Sequence, residues 1–140
     1  MIEKKRILGI DFGAKRVGIA ITDPLRMFGY PLITILNDNN FWKNLGKLFV
    51  EYSIETIVLG YPLKESGARS TSTDLIEEFK VELEKRVKIP IVLVDERYSS
   101  SIAKQQIIES VSSKKKRRDK GLIDKNAAAV ILKEYLDTID

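Results

Sequence analysis

The segment 7–21 limits the fold more than any other part of the chain. It reads Ile-Leu-Gly-Ile-Asp-Phe-Gly-Ala-Lys-Arg-Val-Gly-Ile-Ala-Ile, two apolar runs separated by a short turn that contains Gly13. This pattern predicts a buried strand that ends at Asp11, a tight turn, and a second strand that returns antiparallel to the first. A carboxylate at the end of a buried strand is costly to desolvate unless it is paired, hydrogen-bonded or bound to a metal. Asp11 is therefore the first candidate functional residue, and an ordinary hairpin turn in which it accepts backbone hydrogen bonds is the alternative.

Apolar runs and apolar periodicity predict five strands and four helices in the 140 residues, which suffice for one domain. The strands are expected at 7–12, 17–22, 28–35, 56–59 and 89–94. Apolar faces at 41–52, 76–87, 103–111 and 128–135 mark the four helices, the second of which begins near Thr71 and the fourth of which includes Asp124. Short turns between the first three strands, followed by strand–helix alternation, predict an α/β fold with helices on both faces of a five-stranded mixed sheet. Three strands would be antiparallel, and the last two would run parallel to the first. The continuously apolar last strand is expected to be covered on both faces.

Two absences narrow the chemistry. The chain has no histidine and no cysteine, which excludes Ser-His and Cys-His triads and the usual zinc sites. An enzyme of this composition would rely on carboxylates, lysine, arginine and hydroxyl groups, and carboxylates favour Mg²⁺ or Mn²⁺. No apolar run approaches the length of a membrane span, and the first residues lack the features of a secretory signal, so we expect no membrane partner.

The net charge of +4 is concentrated in one segment. Residues 114–120 hold six basic residues and one acidic residue, which leaves 18 basic and 19 acidic residues in the rest of the chain. A solvated charged loop is the ordinary explanation. We favour a flexible basic loop at 112–120 that grips a phosphate backbone. Its candidate substrate-binding residues are Lys114, Lys115, Lys116, Arg117 and Arg118.

Acidic residues are expected to converge at one edge of the sheet, because parallel strands deliver their carboxyl ends to the same edge. Asp11 ends the first predicted strand, and Asp95 and Glu96 follow the last. Asp124 shares a helical face with the apolar residues that should pack on the sheet, so it is expected to point inward. An acid in a first helical turn is also favoured by capping and by the helix dipole.

Three carboxylates in one place repel one another unless a cation binds. Two divalent ions could activate a water molecule and orient an in-line attack on phosphorus. This predicts a metal and catalytic site formed by Asp11, Glu96 and Asp124, with the choice between Asp95 and Glu96 left open.

Substrate-binding candidates surround these acids. Gly13 has no Cβ and leaves room for a phosphate or metal, and Lys15 and Arg16 put positive charge at the rim of the same turn. Arg97 either contacts substrate or only neutralises the acidic cluster. The aromatic pair at 41–42 has helical spacing and is predicted to belong to the core rather than to a base-stacking surface.

Four motifs in order resemble the YqgF/RuvX family, which is named for Holliday junction resolution and for nuclease action on pre-16S rRNA. They are Asp-Phe-Gly-Ala-Lys-Arg-Val-Gly-Ile-Ala at 11–20, Val-Leu-Gly-Tyr-Pro-Leu at 58–63, Asp-Glu-Arg-Tyr-Ser-Ser at 95–100 and Lys-Gly-Leu-Ile-Asp-Lys-Asn-Ala-Ala at 120–128. The resemblance spans nearly the whole chain and implies a single RNase H-like nuclease domain over 1–140. It also implies Asp11, Glu96 and Asp124 in the metal site, and a cytoplasmic role in nucleic-acid processing.

The leading hypothesis is a nuclease that depends on Mg²⁺ or Mn²⁺ and processes the 5′ end of precursor 16S ribosomal RNA. Precursor ribosomal particles are then the expected partners. One alternative is a resolvase of four-way DNA junctions, which would call for a dimer. The other is a non-catalytic nucleic-acid-binding or ribosome-assembly factor. The sequence leaves open RNA against DNA and monomer against dimer.

Overall fold

The structure, a computed structural model, describes residues 5–61, 71–95 and 120–139. In these residues the elements are β1 (Arg6–Asp11), β2 (Arg16–Thr22), β3 (Gly29–Leu36), α1 (Phe41–Glu51), β4 (Ile54–Tyr61), α2 (Thr71–Arg86), β5 (Ile91–Asp95) and α3 (Lys120–Ile139). Every predicted strand is present, with each end within two residues of its predicted position. The helix predicted around 103–111 lies outside the described residues, as does the basic loop except for its last residue, where α3 begins.

The five strands form one mixed sheet in the order β3-β2-β1-β4-β5. β1 pairs antiparallel with β2, and β2 pairs antiparallel with β3. β4 pairs parallel with β1, and β5 pairs parallel with β4. The predicted sheet is therefore confirmed, and the carboxyl ends of β1, β4 and β5 lie at one edge. In the part of the chain that the structure describes, no helix is long and apolar enough to cross a membrane.

Helices cover both faces of the sheet, as predicted. One core lies between the sheet and the helices α1 and α2, and it is centred on Leu8, Ile10, Phe41, Leu45 and Leu83. The other lies between the sheet and α3, and it includes Ile7, Ala20, Val58, Ile131 and Leu132. Because successive residues of β1 enter opposite cores, the strand is buried on both sides, which explains its unbroken apolar sequence.

The expectation that the last strand is covered on both faces was wrong at Leu93, whose side chain is 44% exposed. β5 stands at the end of the strand order and pairs with β4 alone among the described strands. A continuous apolar run indicates a buried strand in the interior of a sheet, but at an edge one face can stay partly open.

An aromatic cluster anchors the turn that follows Asp11. Phe12 stacks on Phe79 of α2 with the ring centroids 4.6 Å apart, and Phe79 stacks on Trp42 of α1 at 5.4 Å. Phe41 is fully buried beside them. The prediction that the aromatic pair at 41–42 belongs to the core is confirmed, and the cluster ties the end of β1 to both helices on that face.

Candidate functional site

Small residues in the first three strands let α3 lie close to the sheet. A Cβ atom at Gly9 would come 3.1 Å from the Leu132 Cβ, and one at Gly29 would come 3.1 Å from the Leu132 Cδ2. At Gly18 the approach is closer still, because a Cβ would lie 2.0 Å from the carbonyl oxygen of Asp124. The backbone of α3 therefore rests directly on β2 at Gly18, and this contact fixes where the first turns of the helix sit.

Asp11 is on the same face and at the same edge of the sheet as this contact. Asp11 is the antiparallel partner of Gly18 in the β1–β2 ladder, and directly opposed residues point to the same face. The alternation along β1 agrees, since Ile7 packs against α3 whereas Ile10 packs in the opposite core. Asp11 therefore lies opposite the strand position on which the backbone of Asp124 rests, although the two residues come from opposite ends of the chain.

Arg16 links β2 to α3 by a direct ion pair. Its Nε donates a hydrogen bond of 2.9 Å to the Oδ2 of Asp124, and the two side chains are 30% and 24% exposed. Arg16 lies two residues before Gly18 and therefore projects from the same face of β2. A charge-assisted bond in such a partly buried place is stronger than the same pair in open solvent.

The turn between β1 and β2 is braced from β3. Asn37 donates from Nδ2 to the Gly13 carbonyl oxygen at 3.1 Å, and it donates from its backbone nitrogen to the Lys15 carbonyl oxygen at 2.9 Å. A Cβ at position 13 would come 2.4 Å from the Arg16 carbonyl oxygen, so the packing of the turn already requires glycine. The role of Gly13 in substrate binding stays a prediction. Lys15 is exposed at the rim of the turn.

The third predicted acid is not among the described residues. β5 ends at Asp95, which is aligned with Tyr61 of β4. Glu96, Arg97 and the basic candidates at 114–118 lie outside the described residues, so their places in the site stay predictions.

On α3, Glu134 has an unfavourable electrostatic environment. Desolvation raises the pKa of the Glu134 carboxyl above its usual value, and the negative charges of Asp95 and Asp137 act in the same direction. Acidic side chains thus extend from Asp95 at the end of β5 to Glu134 and Asp137 on α3. Among the described residues, no cation paired with Glu134 offsets this negative charge.

The chemistry of the donor set fits a hard divalent cation, since Asp11 and Asp124 offer carboxylate oxygens, the ligands that Mg²⁺ and Mn²⁺ prefer. Within residues 5–61, 71–95 and 120–139 no group of three or more metal-ligating side chains is assembled. Asp124 already accepts a hydrogen bond from Arg16, so an ion at this edge would compete with Arg16 for that carboxylate.

Two features of this edge were missed from the sequence. Gly18 stands in the interior of a strand, which is a recognised sign that another backbone approaches closely, and this signal could have located the α3 contact. The bracing of the turn by Asn37 had no such signal in the sequence.

A groove of about 480 Å³ runs between β3 and α3, from Asn126 past Tyr30 and Lys133 to Asp137. Two exposed aromatic side chains line it: Tyr30 lies on the edge strand β3, and Phe28 immediately precedes that strand.

Comparison with known proteins gives a consistent result. Residues 5–138 match a family model described as "RuvX: Holliday junction resolvase". A protein of Chlorobaculum tepidum is 42% identical over 137 residues, which cover 96% of this chain and 94% of the relative. A protein of Dictyoglomus turgidum is 39% identical, with 96% and 95% covered, and one of Listeria monocytogenes is 40% identical, with 95% and 98% covered. All three carry the name "Putative pre-16S rRNA nuclease".

Solved structures support the fold. The fowlpox virus resolvase in complex with Holliday junction DNA has a TM-score of 0.56 at 14% identity and covers 96% of this chain and 98% of its own. A second structure of the fowlpox virus Holliday junction resolvase has a TM-score of 0.54 at 15% identity and covers 96% of this chain and 99% of its own. At such low identity these similarities speak for the architecture alone, and with the strand order they confirm the predicted RNase H-like α/β class.

Proposed function

The chain belongs to the RuvX family, and from this membership we propose that it is a nuclease that hydrolyses phosphodiester bonds near the 5′ end of precursor 16S ribosomal RNA. The observation that carries the proposal is the position of Asp11 opposite Gly18, on which the backbone of Asp124 rests. The relatives of the chain are named as nucleases of this RNA. Carboxylates gathered beside exposed cations suit work on a phosphodiester.

The site is proposed to use Mg²⁺ or Mn²⁺, held by Asp11 and Asp124, with Glu96 as the third ligand predicted from the sequence. When bound, such an ion would supply a nucleophilic water at neutral pH and stabilise the leaving oxygen. Asp11 contributes a carboxylate whose position is set by the β1–β2 ladder. Asp124 contributes one whose backbone is held against Gly18.

Basic residues are proposed to hold the RNA backbone. Lys15 is exposed beside the acidic edge. Arg16, the first residue of β2, contacts Asp124 at that edge. The basic segment at 112–120, within a single nuclease domain over 1–140, would extend the contact through Lys114 to Arg118, together with Arg97. Removing several phosphate contacts should lower both the affinity and its dependence on salt. Deleting 114–118 should therefore weaken RNA binding.

Resolution of four-way DNA junctions is the second candidate, and the description of the matching family model favours it. Two symmetric cuts would require two sites and hence a dimer. A role on ribosomal RNA would make precursor ribosomal particles the partners and the cytoplasm the place of action.

The experiment offers the purified protein two labelled substrates side by side, a precursor 16S RNA fragment that retains its 5′ extension and a four-way DNA junction. Each is incubated with MgCl₂, with MnCl₂ or with EDTA. We expect cleavage of the RNA within its 5′ extension, with either metal and not with EDTA. Preferential cutting of the junction would support the second candidate, and binding without cutting in both metals would support a non-catalytic role.

A further inference from the structure

We propose that Arg16 is the built-in counter-cation of Asp124, that a divalent cation must displace it to bind at this edge, and that the displaced guanidinium then holds the substrate phosphate. This inference rests on the proposed metal-dependent function. It goes further by assigning to one residue the coupling between metal binding and nucleic-acid binding.

The ion pair is built into the fold rather than formed by two mobile side chains. Arg16 is held in β2 by its pairing with Leu36 of β3. The backbone of Asp124 is held against Gly18, where no space is left for even a Cβ atom. With both backbones fixed, the Nε of Arg16 and the Oδ2 of Asp124 meet at 2.9 Å across 108 residues of sequence.

This pair opposes a metal ion in two ways. The guanidinium uses a lone pair of Oδ2, which is then less available as a ligand. Its positive charge also repels a second cation at the same carboxylate, and partial burial weakens the screening of that repulsion by solvent. A protein with a neutral residue at position 16 should therefore bind a divalent cation more tightly.

Displacement would release a group suited to phosphate. A guanidinium presents its donors in a planar fork that matches phosphate oxygens, and one of those donors, the Nε of Arg16, is now bonded to the Asp124 carboxylate. Thermodynamic linkage makes the effect reciprocal, so a metal ion that removes Asp124 from Arg16 should raise phosphate affinity, and bound phosphate should raise metal affinity by the same factor.

The first test is calorimetric titration of MnCl₂ into the full chain without nucleic acid. We expect Arg16→Gln to bind Mn²⁺ about tenfold more tightly than the wild type, a factor that equals about 1.4 kcal/mol. Arg26→Gln is the matched control, because it removes the same charge and breaks an exposed ion pair, from Arg26 Nη1 to Glu55 Oε1 at 2.7 Å. Its Mn²⁺ affinity should equal that of the wild type. Arg16→Lys keeps the charge and should restore an affinity near the wild-type value.

The second test observes the wild-type protein and uses Arg16→Lys only to assign one signal. The NMR signal of the Arg16 Nε–H, identified by its absence in Arg16→Lys, should shift when MgCl₂ is added and stay in place with KCl. Wild-type Mn²⁺ binding that Arg16→Gln leaves unchanged, or a signal unmoved by bound Mg²⁺, would overturn this inference and leave the proposed nuclease intact. If neither the wild type nor Arg16→Gln bound Mn²⁺, the inference and the metal-dependent function would both fail.

Discussion

Gly18→Ala is the substitution that tests the architecture of the site most sharply. The added Cβ would lie 2.0 Å from the Asp124 carbonyl oxygen, 2.3 Å from its carbonyl carbon and 2.9 Å from the Lys125 nitrogen, all of them backbone atoms. Ordinary contact begins at 3.4 Å, so the start of α3 would have to retreat by about 1.4 Å, the difference between 3.4 and 2.0 Å. Because the clash is with backbone, no side-chain rotation relieves it.

The retreat has a cost because α3 is closely packed. Ala128, Ile131 and Leu132 are fully buried under the helix, and a gap of even 0.5–1 Å already forfeits roughly a quarter to a half of the dispersion energy of a contact. Overpacking of this kind costs about 1–3 kcal/mol, which lowers the melting temperature of a domain this size by roughly 3–10 °C. The displacement also separates Asp124 from Arg16 and from the edge that Asp11 occupies.

Thermal unfolding followed by circular dichroism measures this effect, and Gly46→Ala is its control. Gly46 lies on the exposed side of α1, and a Cβ there meets nothing within 4 Å. Alanine should raise helix stability at that position by up to about 1 kcal/mol. The same chemical change is thus expected to destabilise at 18 and to stabilise at 46. A Gly18→Ala protein that melts at or above the wild-type temperature would refute the close packing of α3 on β2.

Three further substitutions test local physics. Thr22→Val should lower the free energy of unfolding, measured in urea, by about 1–3 kcal/mol, because the buried hydroxyl of Thr22 accepts the Ile7 backbone N–H at 2.9 Å and valine leaves that donor unsatisfied. Thr22→Ser should recover part of the loss. Equal stability of the wild type and the valine variant would contradict the reasoning. Glu134→Gln should raise the free energy of unfolding at pH 7 and not at pH 4. A carboxyl whose pKa is raised in the folded state destabilises that state only as the pH rises past its unfolded pKa of 4.5. A gain in stability of equal size at both pH values would point to another cause. Asp23→Ala should lower stability at neutral pH, because backbone hydrogen bonds, that of Phe28 foremost, lower the pKa of the Asp23 carboxyl below 3.8. The difference from the wild type should fade as the pH falls below 3.8, where the wild type loses the same contribution. A loss of stability that persists in acid would argue against this account.

Most of the fold could be predicted from periodicity because each element has one strong signal. β1 and β2 are continuous apolar runs on either side of a turn that contains glycine. The short turns between the first three strands predict their antiparallel pairing. The exposure of Leu93 could not be predicted, since an apolar run does not say whether its strand will be central or at an edge.

The site was only partly readable from the sequence. Helical spacing placed Asp124 on the inner face of α3, but spacing carries no information about a partner 108 residues away, so the bond with Arg16 stayed hidden. Gly18 was the available clue, because a glycine inside a strand marks a close approach. The predicted contributions of Glu96, Arg97 and the basic segment lie outside the described residues and stay predictions.

The measurement that tests the central claim most directly is the single-turnover cleavage rate of precursor 16S RNA in MgCl₂ for Asp11→Asn and Asp124→Asn. Asp137→Asn is the matched control, because it is the same exchange at an exposed position of the same helix. If Asp11 and Asp124 form the reactive site, both variants should remain folded, although Asp124→Asn also weakens the ion pair with Arg16. Both should lose cleavage by at least about a hundredfold, the scale of losing one group that stabilises the transition state. The control should cut at the wild-type rate. Undiminished cleavage by a folded Asp11→Asn protein would contradict the account.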